Sequence, residues 1–328
     1  MRWGIVGPGR IARNVVRDFG EVAGAEAVAV ASRSLDRARA FAEEFGLASA
    51  YGSYRELVEA DDVDVLYIAT PHPQHLAVAV AALEAGKAVL VEKTFAATVA
   101  GAEQIVETAR RRQVFAMEAM WTRFQPAVVA ARELVADGAI GEVRQVQADL
   151  GVSATFDPTD RLFDPAQGGG ALLDLGVYPV SFAQHFLGTP DRVTVSGSLA
   201  PTGVEAEAGL LLGYDDGRAA ALLVTLRGHT PGAAQIRGTE GWIDVPPRFH
   251  HPDRIVLTRH GHDPETLHRP ARGGGYAHEL DEVTACVAAG RTESTVMPLA
   301  DTLAVQRILN DAAEQLGVHQ HDDLEMTL

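Results

Sequence analysis

Between Arg2 and Met117, short apolar runs alternate with segments of helical spacing, and this alternation restricts the fold more than any other feature of the chain. Arg2 to Val6 (RWGIV), Ala27 to Ala31 (AVAVA), Val63 to Ala69 (VDVLYIA), Ala88 to Val91 and Val114 to Met117 read as buried strands. Arg10 to Phe19, Leu35 to Phe45, His75 to Ala85 and Val99 to Arg112 have helical periodicity. Gly46 and Gly86 stand where a helix stops on a left-handed residue. Strands separated by helices of this length run parallel, joined by right-handed crossovers. The expectation is an α/β chain whose first domain is a doubly wound Rossmann sheet.

After about Trp121 the pattern changes. Ala127 to Ala136 reads as a helix, Glu142 to Leu150 alternates like a strand, and Ala171 to Leu187 is a long helix interrupted near Pro179. Strands are expected at Arg192 to Leu199, Ala208 to Tyr214, Arg218 to Leu226, Ile236 to Val245 and Arg254 to Thr258. Asp216-Gly217 lies between two of them and signals a hairpin. Tyr276 to Ala289 and Leu299 to Leu316 close the chain as helices, and His319 to Leu328 carries no assignment. Residues 1–121 are therefore expected to form the dinucleotide-binding domain. Residues 122–328 are expected to form an α+β domain with an open, largely antiparallel sheet.

Composition excludes several function classes. A chain of 328 residues with 47% hydrophobic content holds two cores. A formal net charge of -16 argues against nucleic acid or an anionic membrane as partner, since both need a basic face. It leaves room for an anionic cofactor, because a few backbone dipoles dominate one pocket. Cys286 is the only cysteine, so no disulfide forms within the chain, and it reads as a buried thiol. No apolar run approaches the roughly 20 residues of a membrane span. No signal peptide precedes the first strand, and the cytoplasm is the expected compartment.

Gly7-Pro8-Gly9-Arg10-Ile11-Ala12 is G-x-G-x-x-A, placed directly after a strand and opening a helix. Gly7 allows the tight turn, Gly9 lets backbone approach a pyrophosphate, and Ala12 lets helix and strand pack closely. The helix start then offers unpaired N–H groups to the phosphates. At the end of the second strand stand Ser32-Arg33-Ser34, with Arg37 a turn later, where an NAD enzyme usually places a carboxylate. A guanidinium and hydroxyls suit a 2′-phosphate, so NADP is the expected cofactor. Ser34 also reads as a helix cap. Thr70, His72 and His75 follow the third strand, and Glu92-Lys93-Thr94 follows the fourth, at the carboxyl ends where open parallel sheets bind ligands. A lysine that ends a buried strand adds nothing to packing and points to a ligand role. His72 and His75 lack companions at a metal spacing, so no metal is expected.

With these motifs the chain resembles the Gfo/Idh/MocA (glucose-fructose oxidoreductase / inositol dehydrogenase) family over nearly its whole length. The matching segments are the glycine turn, Thr70 to His75 (T-P-x-x-x-H), Glu92-Lys93-Thr94 (E-K-P-like), and Gly168-Gly169-Gly170-Ala171-Leu172-Leu173-Asp174-Leu175-Gly176-Val177-Tyr178. Thr94 departs from the family's usual proline, and Tyr178 from its usual histidine. Met117 to Phe124 and Leu173 to Pro179 resemble the dimeric dihydrodiol dehydrogenases and the related NADP-dependent D-xylose dehydrogenases. That resemblance implies Tyr178 and Lys93 as the catalytic pair and Trp121 and Arg123 at the nicotinamide end. It further implies a homodimer or larger oligomer paired through the second-domain sheet. The chemistry agrees. A phenol with an ordinary pKa near 10 is a poor base at neutral pH, and a nearby ammonium lowers that value. Asp174 lies four residues before Tyr178, on the same helical face, suited to orient the substrate or Lys93. Gly273-Gly274-Gly275-Tyr276 with Glu279 resembles the family's closing loop. The five histidines from His250 to His268 are spaced irregularly and read as solvated surface.

The function expected is an NADP-dependent oxidoreductase acting on a small-molecule sugar, polyol or trans-dihydrodiol. The alternatives are a non-catalytic NADP-binding sensor on the same fold, a cofactor-recycling sugar oxidoreductase, or a reductase of another ring carbonyl. A sensor has no need of Lys93, Asp174 and Tyr178 together.

Overall fold

The computed structural model describes residues 1–328. Its two compact units are discontinuous in sequence. One comprises Met1–Ala119, Arg272–Leu303 and His321–Leu328, the other Met120–Ala271 and Ala304–Gln320.

In the first unit β1 (Arg2–Val6), β2 (Glu26–Ala31), β3 (Ser49–Tyr51), β4 (Val65–Ile68), β5 (Ala88–Glu92) and β6 (Ala116–Ala119) form one sheet. The order is β3-β2-β1-β4-β5-β6, and every pairing is parallel. This is the Rossmann order, with its switch point between β1 and β4. Helices α1 (Arg10–Asp18), α2 (Leu35–Phe45), α3 (Tyr54–Glu59), α4 (His75–Glu84) and α5 (Val99–Arg112) lie between the strands in the chain. Burial on both faces explains the unbroken apolar runs: β4 and β5 have no exposed residue. Strand β3 and helix α3 add to the expected elements. Three residues are too few to show a period, and α3 spans only six. Its start is nonetheless marked by a capping box, in which Ser53 accepts from the Glu56 amide and Glu56 from that of Ser53.

In the second unit α6 (Pro126–Ala136) precedes β7 (Val143–Gly151), and α7 (Val177–Leu187) precedes β8 (Arg192–Leu199) and β9 (Glu205–Gly213). Then follow β10 (Ala219–Thr225), β11 (Ala234–Gly238), β12 (Gly241–Val245), β13 (Arg254–Arg259) and β14 (Glu265–His268). The eight-stranded sheet has the order β14-β13-β12-β11-β7-β10-β9-β8. Only β7 and β10 pair in parallel; all other pairs are antiparallel. Helix α7 covers one face of the sheet. That face buries Val146, Ala148, Leu210, Leu212, Leu222 and Val224. On the other face Leu211 and Leu223 are 53% and 58% exposed.

Helix α8 (Ala277–Ala288) belongs to the first unit, and α9 (Leu299–Gln315) begins there and ends in the second.

Two elements differ from expectation. The single strand Ile236 to Val245 is a hairpin, β11 and β12, turning at Thr239-Glu240. A continuous alternation hides that turn. Glycine permits it: a Cβ on Gly238 would lie 2.0 Å from the Ile140 carbonyl oxygen. The helix expected from Ala171 begins as a π turn, Leu172–Gly176, with α7 starting at Val177. Pro179 follows that π turn within a continuous run of helical backbone, so the irregularity falls just before the residue that has no N–H to donate.

Candidate active site

In the first unit the glycine turn has the geometry its residues require. Gly7 has φ 91°, and its amide donates to the Ala31 carbonyl at 3.0 Å. A Cβ there would lie 3.1 Å from the Ala69 carbonyl oxygen in a conformation only glycine adopts readily. Gly9 precedes α1 with no atom within 4 Å of a Cβ position. Helix α1 has no side-chain cap and no acid in its first turn. The amides of Arg10, Ile11 and Ala12 thus begin a helix with no acid in its own first turn, which fits a pyrophosphate. Ala12 is fully buried against the sheet.

At the end of β2, Ser32 is buried, and its hydroxyl accepts from the Ser34 amide at 3.3 Å. Ser34 caps α2, accepting from the Arg37 amide at 3.4 Å. Arg33 and Arg37 are exposed and lie near the Tyr54 hydroxyl, whose pKa burial raises and the two guanidinium groups lower.

The loops after β4 and β5 are tied together by His75. Its ring nitrogens lie 2.8 Å from the Thr70 and Thr94 carbonyl oxygens, and burial lowers its pKa to about 4. His75 thus lies between two loops that carry expected cofactor residues, and each ring N–H it carries donates to one of their two carbonyl oxygens. His72 is buried edge-on to it, ring centroids 5.8 Å apart. Thr70 is also buried. Glu92 accepts a hydrogen bond from the Tyr67 hydroxyl, and its other oxygen accepts from the Lys93 amide at 3.2 Å. Burial raises the Glu92 pKa, with Tyr67 and Lys93 opposing. Burial, then Glu92, raises that of Tyr67 far more. Lys93 is half-buried at the strand end. The loop is held further by Glu118, which accepts from the Phe95 amide at 3.2 Å.

Asp18 at the end of α1 is buried. It accepts from the amides of Gly274 (2.7 Å), Tyr276 (2.8 Å) and Ala277 (3.2 Å), anchoring the start of α8. Glu279, in the first turn of α8, is fully buried, and neither carboxyl oxygen has a hydrogen-bond partner. Burial, with Glu92 and Asp18 nearby, raises its pKa well above the carboxylate range.

In the second unit the segment from Gly168 to Gln184 is buried except at Asp174 and Tyr178, which alone are partly exposed. Asp174 pairs with Arg161 at 2.9 Å. The Tyr178 ring lies 5.2 Å from that of His250. Trp121 is stacked on His251 at 4.8 Å and 6°. His250 and His251 therefore depart from the solvated surface expected of them, whereas His260, His262 and His268 are exposed. No spacing in the sequence separates these two groups. Arg123 is buried, donating to Ser181 Oγ at 3.1 Å and Gln184 Oε1 at 2.5 Å. These contacts direct it to α7, three and six residues beyond Tyr178. His185, half-buried beside Arg123 and Arg132, is pushed down to about 3 by desolvation and then by the two guanidinium charges. No group of three or more His, Cys, Asp or Glu is arranged to hold a metal.

The oxidoreductase family with an NAD-binding Rossmann fold matches residues 1–120, and the GFO/IDH/MocA C-terminal domain matches residues 128–244. The chain belongs to the Gfo/Idh/MocA oxidoreductase family. Its first unit is accordingly an NAD(P)-binding domain. Within the family it is 36% identical over 327 residues to mouse (Mus musculus) trans-1,2-dihydrobenzene-1,2-diol dehydrogenase, covering 97% of each chain. A solved aldose-aldose oxidoreductase from Caulobacter crescentus, complexed with glycerol, is similar at TM-score 0.87 and 25% identity, over 96% of this chain and 98% of that one. A 3-ketoreductase from Actinomadura kijaniata, solved as a mutant with TDP-benzene and NADP, is similar at TM-score 0.84 and 28% identity, over 98% of each. No helix is long and apolar enough to cross a membrane.

Proposed function

We propose that this oxidoreductase is an NADP-dependent dehydrogenase that transfers a hydride between nicotinamide and a CH–OH group of a sugar, polyol or trans-dihydrodiol. The observation that carries the reading is the exposure of Asp174 and Tyr178 alone in an otherwise buried run, in a chain that also keeps Lys93 at the end of β5. A sensor on this fold needs none of the three.

Gly7, Gly9 and the amides of Arg10, Ile11 and Ala12 hold the pyrophosphate. Arg33, Arg37 and the hydroxyls of Ser32 and Ser34 receive the 2′-phosphate. Thr70, His72, His75, Glu92, Trp121 and Arg123 shape the remaining cofactor site, several of them by holding loops and helices in place. The bound nicotinamide supplies the hydride acceptor or donor. In the oxidative direction the hydroxyl proton passes to Tyr178 as the carbinol hydrogen leaves with its electron pair and the C=O bond forms. The Lys93 ammonium stabilises the phenolate. Asp174, paired with Arg161, orients the substrate or Lys93. The second unit supplies substrate binding and oligomerisation, and the enzyme works in the cytoplasm without a metal.

A panel of aldoses, inositols and trans-dihydrodiols with NADP⁺, followed by absorbance of reduced cofactor, tests the assignment. Turnover with a member of the panel is expected. Tyr178→Phe should cut kcat by roughly 10² or more while leaving NADP⁺ affinity within about threefold. Binding of NADP⁺ with no turnover of any member would favour the sensor.

A further inference from the structure

Glu205 opens β9 directly beneath the segment that carries Asp174 and Tyr178. Its neighbours Val204, Ala206 and Ala208 are buried hydrophobics, and Glu205 is itself 0% exposed. An apolar residue would fill such a place without desolvating a carboxyl group. Its Oε1 accepts from the Leu172 amide at 3.0 Å. Oε2 has no partner.

The chain above is shaped to this carboxyl. Gly170 has φ 118°, and a Cβ there would lie 2.5 Å from Glu205 Oε1. Gly169 lies against backbone: a Cβ would approach the carbonyl oxygens of Arg161, Leu162 and Asp164 to within 2.7–2.9 Å. The last two glycines of the triple are thus the residues that let the chain lie on Glu205 and on the 161–164 loop.

Leu172 begins the π turn, and residue 171 offers its amides no side-chain cap. Amides at a helix start have no acceptor within the helix. The acceptor for Leu172 is supplied from a strand 33 residues away. Single π turns of this kind are frequent at functional sites.

We propose that Glu205 is a positioning residue for the reaction: its Oε1 holds the Leu172 amide and so sets the π turn that presents Asp174 and Tyr178. The inference rests on the reading of those two side chains as the reacting end of the site. Burial pushes the Glu205 carboxyl up to about 7, moderated by its own amide and that of Leu172. A neutral acceptor of the same length is therefore a fair replacement.

The test uses the full-length enzyme and the panel member with the highest turnover. Steady-state kcat is measured together with NADP⁺ affinity, read from tryptophan fluorescence. Glu205→Leu should lower kcat at least about tenfold, since a misplacement of about 1 Å can cost on the order of 10²-fold. NADP⁺ affinity should stay within about threefold, because the glycine turn lies in the other unit. Glu205→Gln should restore kcat to within about threefold of the wild type, as its amide oxygen accepts the same N–H. Wild-type kcat in Glu205→Leu overturns the proposal, and so does a Glu205→Gln variant as impaired as Glu205→Leu. If Glu205→Leu yields no cofactor-binding protein, Glu205→Asp decides: withdrawal of the acceptor by one methylene should lower kcat about fivefold or more, and an unchanged kcat overturns the proposal. Tyr178→Phe is run alongside. If it retains wild-type turnover, the catalytic reading fails. If it is inactive while Glu205→Leu is not, only the positioning role fails.

Discussion

At the scale of residues, the proposed mechanism has Tyr178 accept the proton as phenolate, so oxidation should accelerate with rising pH. The expected profile has one ionisation below the free phenol value near 10. A rate independent of pH from 6 to 10, with the hydride step limiting, would contradict it. Lys93→Met should cost kcat about as much as Tyr178→Phe, and the double variant much less than the product of the two, because paired groups act as a unit. Multiplying losses would show that they act separately. Cofactor choice belongs to this scale as well. Arg33 is exposed at the end of β2, where no carboxylate stands. Arg33→Ala should raise the NADP⁺ KM far more than the NAD⁺ KM, a lost charge-assisted contact being worth about 1.5–3 kcal/mol. Equal effects on both cofactors would sink the preference.

At the scale of elements, helix α8 starts on three amides held by Asp18 and carries Glu279 into a fully buried place beside Glu92. A carboxyl whose pKa is raised on folding makes the fold less stable as pH climbs from its unfolded value, about 4.3, through its folded one. Glu279→Gln removes this loss. Its Tm relative to wild type should therefore rise between pH 5 and pH 8, and a constant difference would show that the fold does not hold that proton. Long periodic elements such as α2 and α5 were legible because period and caps coincide: Ser34 and Thr98 both accept from the first turn. Elements of three to six residues were not, since β3, α3 and β14 are too short for a period to show.

At the scale of the whole molecule, the second-unit sheet leaves one face without helices. Leu211 and Leu223 project from it beside a concavity of about 720 Å³, which they line with Gln147, Thr194, Gln235 and Arg237. Contiguous apolar surface of this kind is uncommon on monomers. Light scattering at micromolar concentration should give a dimer or larger closed oligomer, and Leu223→Asp should shift it toward monomer. A monomeric wild type would contradict the assignment. The sequence by itself determined the parallel first sheet and the glycine turn, which follow from period and from spacings of a few residues. Lys93, Asp174 and Tyr178 were singled out in it as candidates, through the motifs that carry the family resemblance. Tertiary structure alone decided that His250 and His251 lie by Tyr178 and Trp121, that Arg123 turns to α7, that Arg161 holds Asp174, and that Glu205 lies under Gly170. Those contacts join residues from 13 positions apart, Arg161 to Asp174, to 130 apart, Trp121 to His251. Their partners are chosen by how the sheet and its covering helix pack, and no periodicity along the chain records that choice.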